Sequence, residues 1–331
     1  MKRLISILLI AALLSAFCSC GKNGADGTTS FSTEATTKAE TENETTTQGT
    51  TEGETQSVPN PEPMDKIKNT AKSIYGKSTG TAKTYTGLEP LSKVSLPVVD
   101  PNNLKGLPTN THNHSYGVAK NGIAHQISVN NQKLYEKYGG ICLDTSGKKV
   151  IYLTFDCGYE NGCTEKILDT LKEKNVPAAF FVTLPNVKQN PEIIARMINE
   201  GHIVGNHSNT HPNFSTISRT QMAKEIEDLD NYLREHFGYS SSYFRFPEGA
   251  CSENALELVQ SIGYTSVFWS SAYADWDTSN PKGKQYAFDT VTARLHPGCV
   301  LLLHAVSQDN ADALGDIIDY AKKQGYEFKA L

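Results

Sequence analysis

A basic excess, a disulfide-type cysteine spacing and an apolar run of comfortable membrane-spanning length are all missing from this chain. The formal net charge is −5, which leaves no basic excess to pair with nucleic acid. Five of the seven cysteines (Cys142, Cys157, Cys163, Cys251 and Cys299) lie in the second half of the chain or just before it. They are odd in number and lack the close spacing of a disulfide framework, so at least one thiol is free or pairs between chains, and no bridge is required. The only long apolar run, Leu4–Leu14, is too short for a comfortable bilayer span, which excludes a multi-span membrane protein.

That run has the context of an export signal. Lys2 and Arg3 precede it, and small residues with Cys18 and Cys20 follow. Cys20 lies between Ser19 and Gly21 and resembles a bacterial lipoprotein processing site. Cys18 is the alternative, disfavoured by the bulky Phe17, and an ordinary signal peptide cut nearby is the other reading. Residues 1–20 are therefore expected to be a signal peptide, with lipidation at Cys20 anchoring an extracytoplasmic protein to the membrane. Residues 21–65 are dominated by Thr, Glu, Gly, Ser and Asn, with Phe31 the sole aromatic. Such a stretch cannot bury enough apolar surface to offset its ordering entropy, so it is expected to be a disordered linker, either a stalk or a tail. Residues 66–148 mix loop chemistry with one short amphipathic helix around Asn131–Tyr138, and are expected to form an extension packed on the main domain.

From Lys149 to residue 331 strands and helices alternate. VIYLTF predicts a buried strand, and Thr164–Lys174 a helix with Ile167, Leu168 and Leu171 on one face. AAFFVT is the next strand. Asn190 and Pro191 supply an N-cap and a first-turn proline for a helix closed by Gly201. Ser218 and Gln221 form a capping box, Ser252 caps another helix ending at Gly263, and SVFWS, CVLLLH and YEFKAL predict strands, with a helix over Asn310–Lys323 between the last two. Repeated β-α units argue for an α/β fold with a parallel sheet, closed as a barrel or open.

The chemistry-bearing residues fall at the ends of these strands. Asp156 ends the first, and His207 and His211 follow in HSNTHP. Two histidines four apart can present nitrogens to one metal ion, and a carboxylate beside them can take a proton from an attacking water. The alternative for Asp156 is a structural carboxylate capping the next helix. His304 ends CVLLLH, where it can protonate a leaving amine. Arg245 stands in RFPEG, with Pro247 and Gly249 shaping a loop. Asp275 and Trp276 follow SVFWS.

FDCGYENG, GHIVGNHSNTHP, FRFPEGACSE, VFWSSAYADWD and HPGCVLLLHAVSQDNADAL together resemble the polysaccharide deacetylase family (carbohydrate esterase family four). YENG and HAVSQDNA are more similar to its δ-lactam-biosynthetic de-N-acetylase subgroup, which acts on N-acetylmuramic acid of peptidoglycan during spore cortex maturation. The resemblance implies an irregular (β/α) barrel with active-site groups at the strand carboxyl ends. It also implies removal of N-acetyl groups from peptidoglycan glycan strands; a monomer is expected. In that scheme His207 and His211 bind a divalent metal, commonly zinc with manganese or magnesium as alternatives. Asp156 is the base, oriented by Arg245, and His304 is the acid, supported by Asp275. Trp276, Pro247, Gly249 and Leu302 contact substrate, with a backbone N–H near Pro247–Gly249 meeting the oxyanion. Core packing is the alternative for Trp276 and Leu302.

Two residues depart from the family pattern. Cys157 stands where a second aspartate usually ligates the metal, and three readings follow: a thiolate ligand, a site held by two histidines and water, or a site that has lost metal and activity. Glu248 stands where the subgroup has a basic side chain, and would repel a lactyl or peptide carboxylate. N-acetylglucosamine deacetylation and non-catalytic glycan binding are the alternatives to the muramic acid reading.

Overall fold

The computed structural model describes residues 84–331. The expected processing site at Cys20, the linker 21–65 and the start of the extension lie outside the described residues. No helix among the described residues is long and apolar enough to cross a membrane.

The organising element is β2 (Val150–Cys157), whose side chains alternate between two environments. Ile151, Leu153, Phe155 and Cys157 face a large apolar cluster. Thr154 and Asp156 face the opposite way, where Arg245 bonds to both. This is the two-residue period of a strand applied to a sheet covered on one face and curled round a polar interior on the other. β3 (Ala179–Val182) and β8 (Cys299–His304) flank β2 in parallel. β4 (Ile203–Asn206), β5 (Tyr243–Phe244) and β7 (Thr265–Ser266) continue outward from β3, all in parallel. A short β9 (Glu327–Phe328) pairs with the start of β2.

The predicted strand SVFWS is regular only at its start, because the chain there leaves one edge and crosses to the other. Val267 N–H donates to Phe244 O at 2.8 Å, Ser270 N–H to Val300 O at 2.9 Å, and Leu302 N–H to Ser271 O at 2.9 Å. Residues 267–271 thus tie the β7 side to β8 and curl the sheet into the irregular barrel. The closing strand YEFKAL is likewise reduced to two paired residues.

Five helices cover the outside: α2 (Thr164–Lys174), α4 (Pro191–Asn199), α5 (Arg219–Phe237), α7 (Lys284–Thr292) and α8 (Gln308–Lys323), with the short α3 (Leu184–Gln189) before α4. Their apolar stripes, including Ile167, Leu171, Ile194, Leu233, Val291 and Ile317, complete the large cluster. Ser218 and Gln221 make the expected capping box of α5. α8 starts two residues earlier than predicted, because Ser307 accepts from Asn310 N–H as its cap. Asn190 precedes α4 without capping it, since its amide bonds to Asn186.

The extension packs on the barrel through a second cluster. α1 (Gln126–Tyr135) begins earlier than predicted, capped by the His125 ring. Its Tyr135 stacks on Phe268 with centroids 4.0 Å apart. β1 (His112–Asn113) pairs antiparallel with β6 (Ala250–Cys251), just before α6 (Glu253–Ser261).

Candidate active site

The strand register brings the two expected acid–base residues level with each other. Asp156 and His304 are direct partners on the adjacent parallel strands β2 and β8, so their side chains rise from the same end of the barrel. They line one cavity of about 510 Å³, together with His207, His211, Trp276, Leu302 and Glu248.

Arg245 is wholly buried beneath the cavity, and each of its three side-chain nitrogens donates a hydrogen bond. Nη1 donates to Asp156 Oδ1 at 2.8 Å, Nη2 to Thr154 Oγ1 at 2.9 Å, and Nε to Val267 O at 3.0 Å. The guanidinium also lies 4.1 Å from the centroid of the Phe181 ring, a cation–π contact in a dry setting. Burial alone would raise the Asp156 pKa, but the charge of Arg245, aided by His207 and His304, holds it below the usual carboxylate value. Asp156 is therefore an oriented carboxylate at neutral pH.

His207 follows β4 and is nearly buried. Its Nδ1–H donates to Arg245 O at 2.8 Å, which leaves the Nε2 lone pair free, 3.7 Å from Asp156 Oδ2. Burial pushes its pKa down to about 4, so the ring is neutral and able to ligate a cation. The His211 ring stands edge-on to it, with centroids 4.8 Å apart. Ser208 and His211 both adopt positive φ, 73° and 58°. The loop is locked in that form by Ser208 N–H to Asn206 Oδ1, His211 N–H to Ser208 Oγ and Thr210 N–H to Glu225 Oε2. Strained, over-determined backbone of this kind is typical of functional loops. Two imidazoles beside an ionised carboxylate, the His207 ring neutral, fit a divalent cation.

Cys157 does not join them. The strand period turns it away from Asp156, onto the helix-covered face with Phe155, and it does not line the cavity. Burial raises its pKa well above that of a free thiol. Among the described residues no group of three His, Cys, Asp or Glu side chains is arranged to hold a metal ion. The orientation of Cys157 away from the cavity speaks against a thiolate ligand and leaves His207 and His211 as the candidate nitrogen donors. All five described cysteines are buried free thiols.

At the end of β8, Asp275 Oδ1 accepts from His304 Nδ1–H at 2.7 Å, and Oδ2 accepts from the His304 backbone N–H at 2.8 Å. Asn310 Nδ2 donates to the same Oδ2 at 2.6 Å, which holds the carboxylate in place. Burial works against an imidazolium, yet the hydrogen bond and charge of Asp275, with Asp156 beyond, leave the His304 pKa raised. Trp276 is 59% exposed and meets the His304 ring with centroids 5.7 Å apart. Leu302 is buried but still reaches the cavity wall. Pro247 and Gly249 are buried beneath the surface of their turn.

Sequence reasoning missed part of the wall. Tyr116, in the extension, lines the cavity and its hydroxyl donates to Ala272 O at 3.0 Å. Trp269, Tyr159 and Tyr273 line it as well. The aromatic enrichment around residues 268–276 was a usable signal for two of these side chains, Trp269 and Tyr273, whereas nothing near Tyr116 marked it.

The arrangement has known counterparts. A family model described as polysaccharide deacetylase matches residues 143–267, a span that holds Asp156, His207, His211 and Arg245. The peptidoglycan-N-acetylmuramic acid deacetylase PdaA of Bacillus subtilis is 47% identical over 199 residues, covering 60% of this chain and 76% of that protein. A peptidoglycan-N-acetylglucosamine deacetylase of Bacillus cereus is 34% identical over 204 residues, covering 59% and 72%. The solved structure of Bacillus subtilis PdaA, a family 4 carbohydrate esterase, matches with a TM-score of 0.64 at 43% identity, covering 68% of this chain and 96% of that one. Extended identity over most of two such relatives, on the same fold, places this chain in the polysaccharide deacetylase family.

Proposed function

We propose that this protein hydrolyses the N-acetyl amide of amino sugars in peptidoglycan, acting on N-acetylmuramic acid residues outside the cytoplasm. The observation that carries the chemistry is the pairing of Asp156–Arg245 and His304–Asp275 at one cavity, with Asp156 and His304 level on adjacent strands. Binding alone has no use for a carboxylate held ionised near an imidazole whose proton affinity is raised. Greater identity to the muramic acid enzyme than to the glucosamine enzyme, 47% against 34%, supports the choice of sugar. A lipid anchor at Cys20 would keep the domain facing the wall.

His207 and His211 would hold the divalent ion, and nitrogen ligands suit zinc, with manganese or magnesium as alternatives. Bound there, such an ion supplies Lewis-acid polarisation of the acetyl carbonyl and acidifies water. Asp156 takes a proton from the water as its oxygen bonds to the acetamide carbon, and Arg245 keeps the carboxylate ionised and aimed. Asp275 occupies His304 Nδ1, so the proton passed on comes from Nε2. It goes to the sugar nitrogen as the C–N bond breaks, because an unprotonated amine is a poor leaving group. Acetate and a free amino sugar result. In the turn at residues 247–249, Pro247 has no N–H and that of Gly249 donates to Phe246 O. The Glu248 N–H is thus the turn's candidate oxyanion donor. Trp276, Tyr116 and Trp269 offer apolar faces to the sugar rings.

Mapping of new amines on zinc-treated digests of purified glycan strands tests the reading. Free amines on muramic acid are expected. Amines confined to glucosamine would move the substrate assignment to the other sugar.

A further inference from the structure

Among the side chains lining the cavity there is no lysine or arginine, and two are carboxylates, Asp156 and Glu248. Asp156 is neutralised by Arg245. Glu248 is exposed and makes no ion pair or hydrogen bond with any described residue. Its place is fixed all the same. It sits at φ 58°, a backbone region that disfavours residues bearing a Cβ, in a turn pinned on both sides. Gly249 N–H donates to Phe246 O, and Gly249 O accepts from His114 N–H, each at 3.0 Å. A Cβ on Gly249 would come within 2.9 Å of Trp269 and 3.0 Å of His114, so this turn cannot slide. An uncompensated negative charge is thus presented to the substrate from a rigid backbone, three residues after the arginine that holds the base.

We propose that Glu248 makes this site charge-selective: it favours muramic acid residues whose 3-O-lactyl group is masked as a neutral amide, and disfavours those with a free lactyl carboxylate. The inference rests on the deacetylase reading above. A compact cavity of this volume is roughly 10 Å across, comparable to a Debye length, so like charges inside it are incompletely screened. Two unit charges about 8 Å apart, in surroundings between protein and water, repel by about the amount that changes a rate constant tenfold.

The test is kcat/KM for acetate release from one muramic-acid-containing oligosaccharide in two forms, the free lactyl acid and its methylamide. Each form is measured with the zinc-loaded wild type, Glu248→Gln and Glu248→Lys. The ratio of the two substrates is internal to each protein, so a general loss of activity cancels. The wild type should prefer the amide about tenfold, and added salt should narrow the preference. Gln should bring the ratio close to one, and Lys should favour the acid. An unchanged ratio in both variants, or no preference in the wild type, overturns the role of Glu248 and leaves the deacetylase reading intact. Release from neither form, nor from any other N-acetylated glycan, would overturn that reading and this one with it.

Discussion

Substituting Asp275→Asn preserves the shape around His304 while removing the charge that sustains its proton. The wild-type carboxylate lies 2.7 Å from His304 Nδ1 and 2.8 Å from its backbone nitrogen. Burial opposes the imidazolium, and the upward shift of His304 exists because Asp275 outweighs that burial. An opposite charge at this range moves a pKa by about 1–3 units. Without it burial prevails, and the ring should titrate below its ordinary value of about 6.5. The acid form is needed for amine departure, so the alkaline limb of kcat should move toward lower pH by about 1–2 units. At pH 7.5 this corresponds to a loss of roughly 10- to 100-fold, with a smaller loss near pH 6. The assay is acetate release at saturating glycan across pH 5–9, with thermal unfolding as the control for folding. A uniform fall in rate with the alkaline limb unmoved would refute the assignment of His304 as the proton donor.

Other substitutions separate ligation, orientation and packing. Cys157→Ala should lower stability by about 1 kcal/mol through lost core contact yet leave zinc affinity, measured by calorimetry on stripped protein, within about twofold; a loss of tenfold or more would restore the thiolate ligand. Arg245→Met leaves a carboxylate without its partner, which typically costs about 3–5 kcal/mol. It should also raise the Asp156 pKa, so the acid limb of activity moves to higher pH; unchanged denaturant stability together with an unmoved limb would contradict the ion-pair account. Trp276→Ala should raise KM several-fold while stability changes by less than about 0.5 kcal/mol, as for an exposed side chain. A large fall in stability would instead mark Trp276 as packing.

The polar half of the site was legible because strand ends concentrate chemistry. Asp156 and His304 each close an apolar run, and HSNTHP carries two histidines at metal-ligand spacing. The alternation along VIYLTFDC also places Cys157 opposite Asp156, a point that strand geometry settles but a motif comparison leaves open. The irregular barrel closure was not legible. Residues 266–270, SVFWS, read as one strand by composition, yet residues 267–271 divide their hydrogen bonds between two partners, and no local propensity encodes that crossing. The strands β4 and β5 are short enough that their pairing depends on neighbours rather than on pattern. α3 and α7 escaped notice because Pro185 and the polar start of KQYAFDTVT weaken the helical signal. Tyr116 reaches the cavity through contacts between segments far apart in sequence, its hydroxyl bonding to Ala272 O and the nearby β1 pairing with β6.

The central claim is that Asp156, beside the two histidines, activates water for amide hydrolysis. Its most direct test is acetate release from purified glycan strands by metal-stripped protein with zinc, manganese or magnesium restored, comparing wild type with Asp156→Asn. The account predicts release that returns with the metal in the wild type and is lost in Asp156→Asn, while glycan binding persists in both. Binding without release by the wild type, whichever metal is supplied, would contradict it.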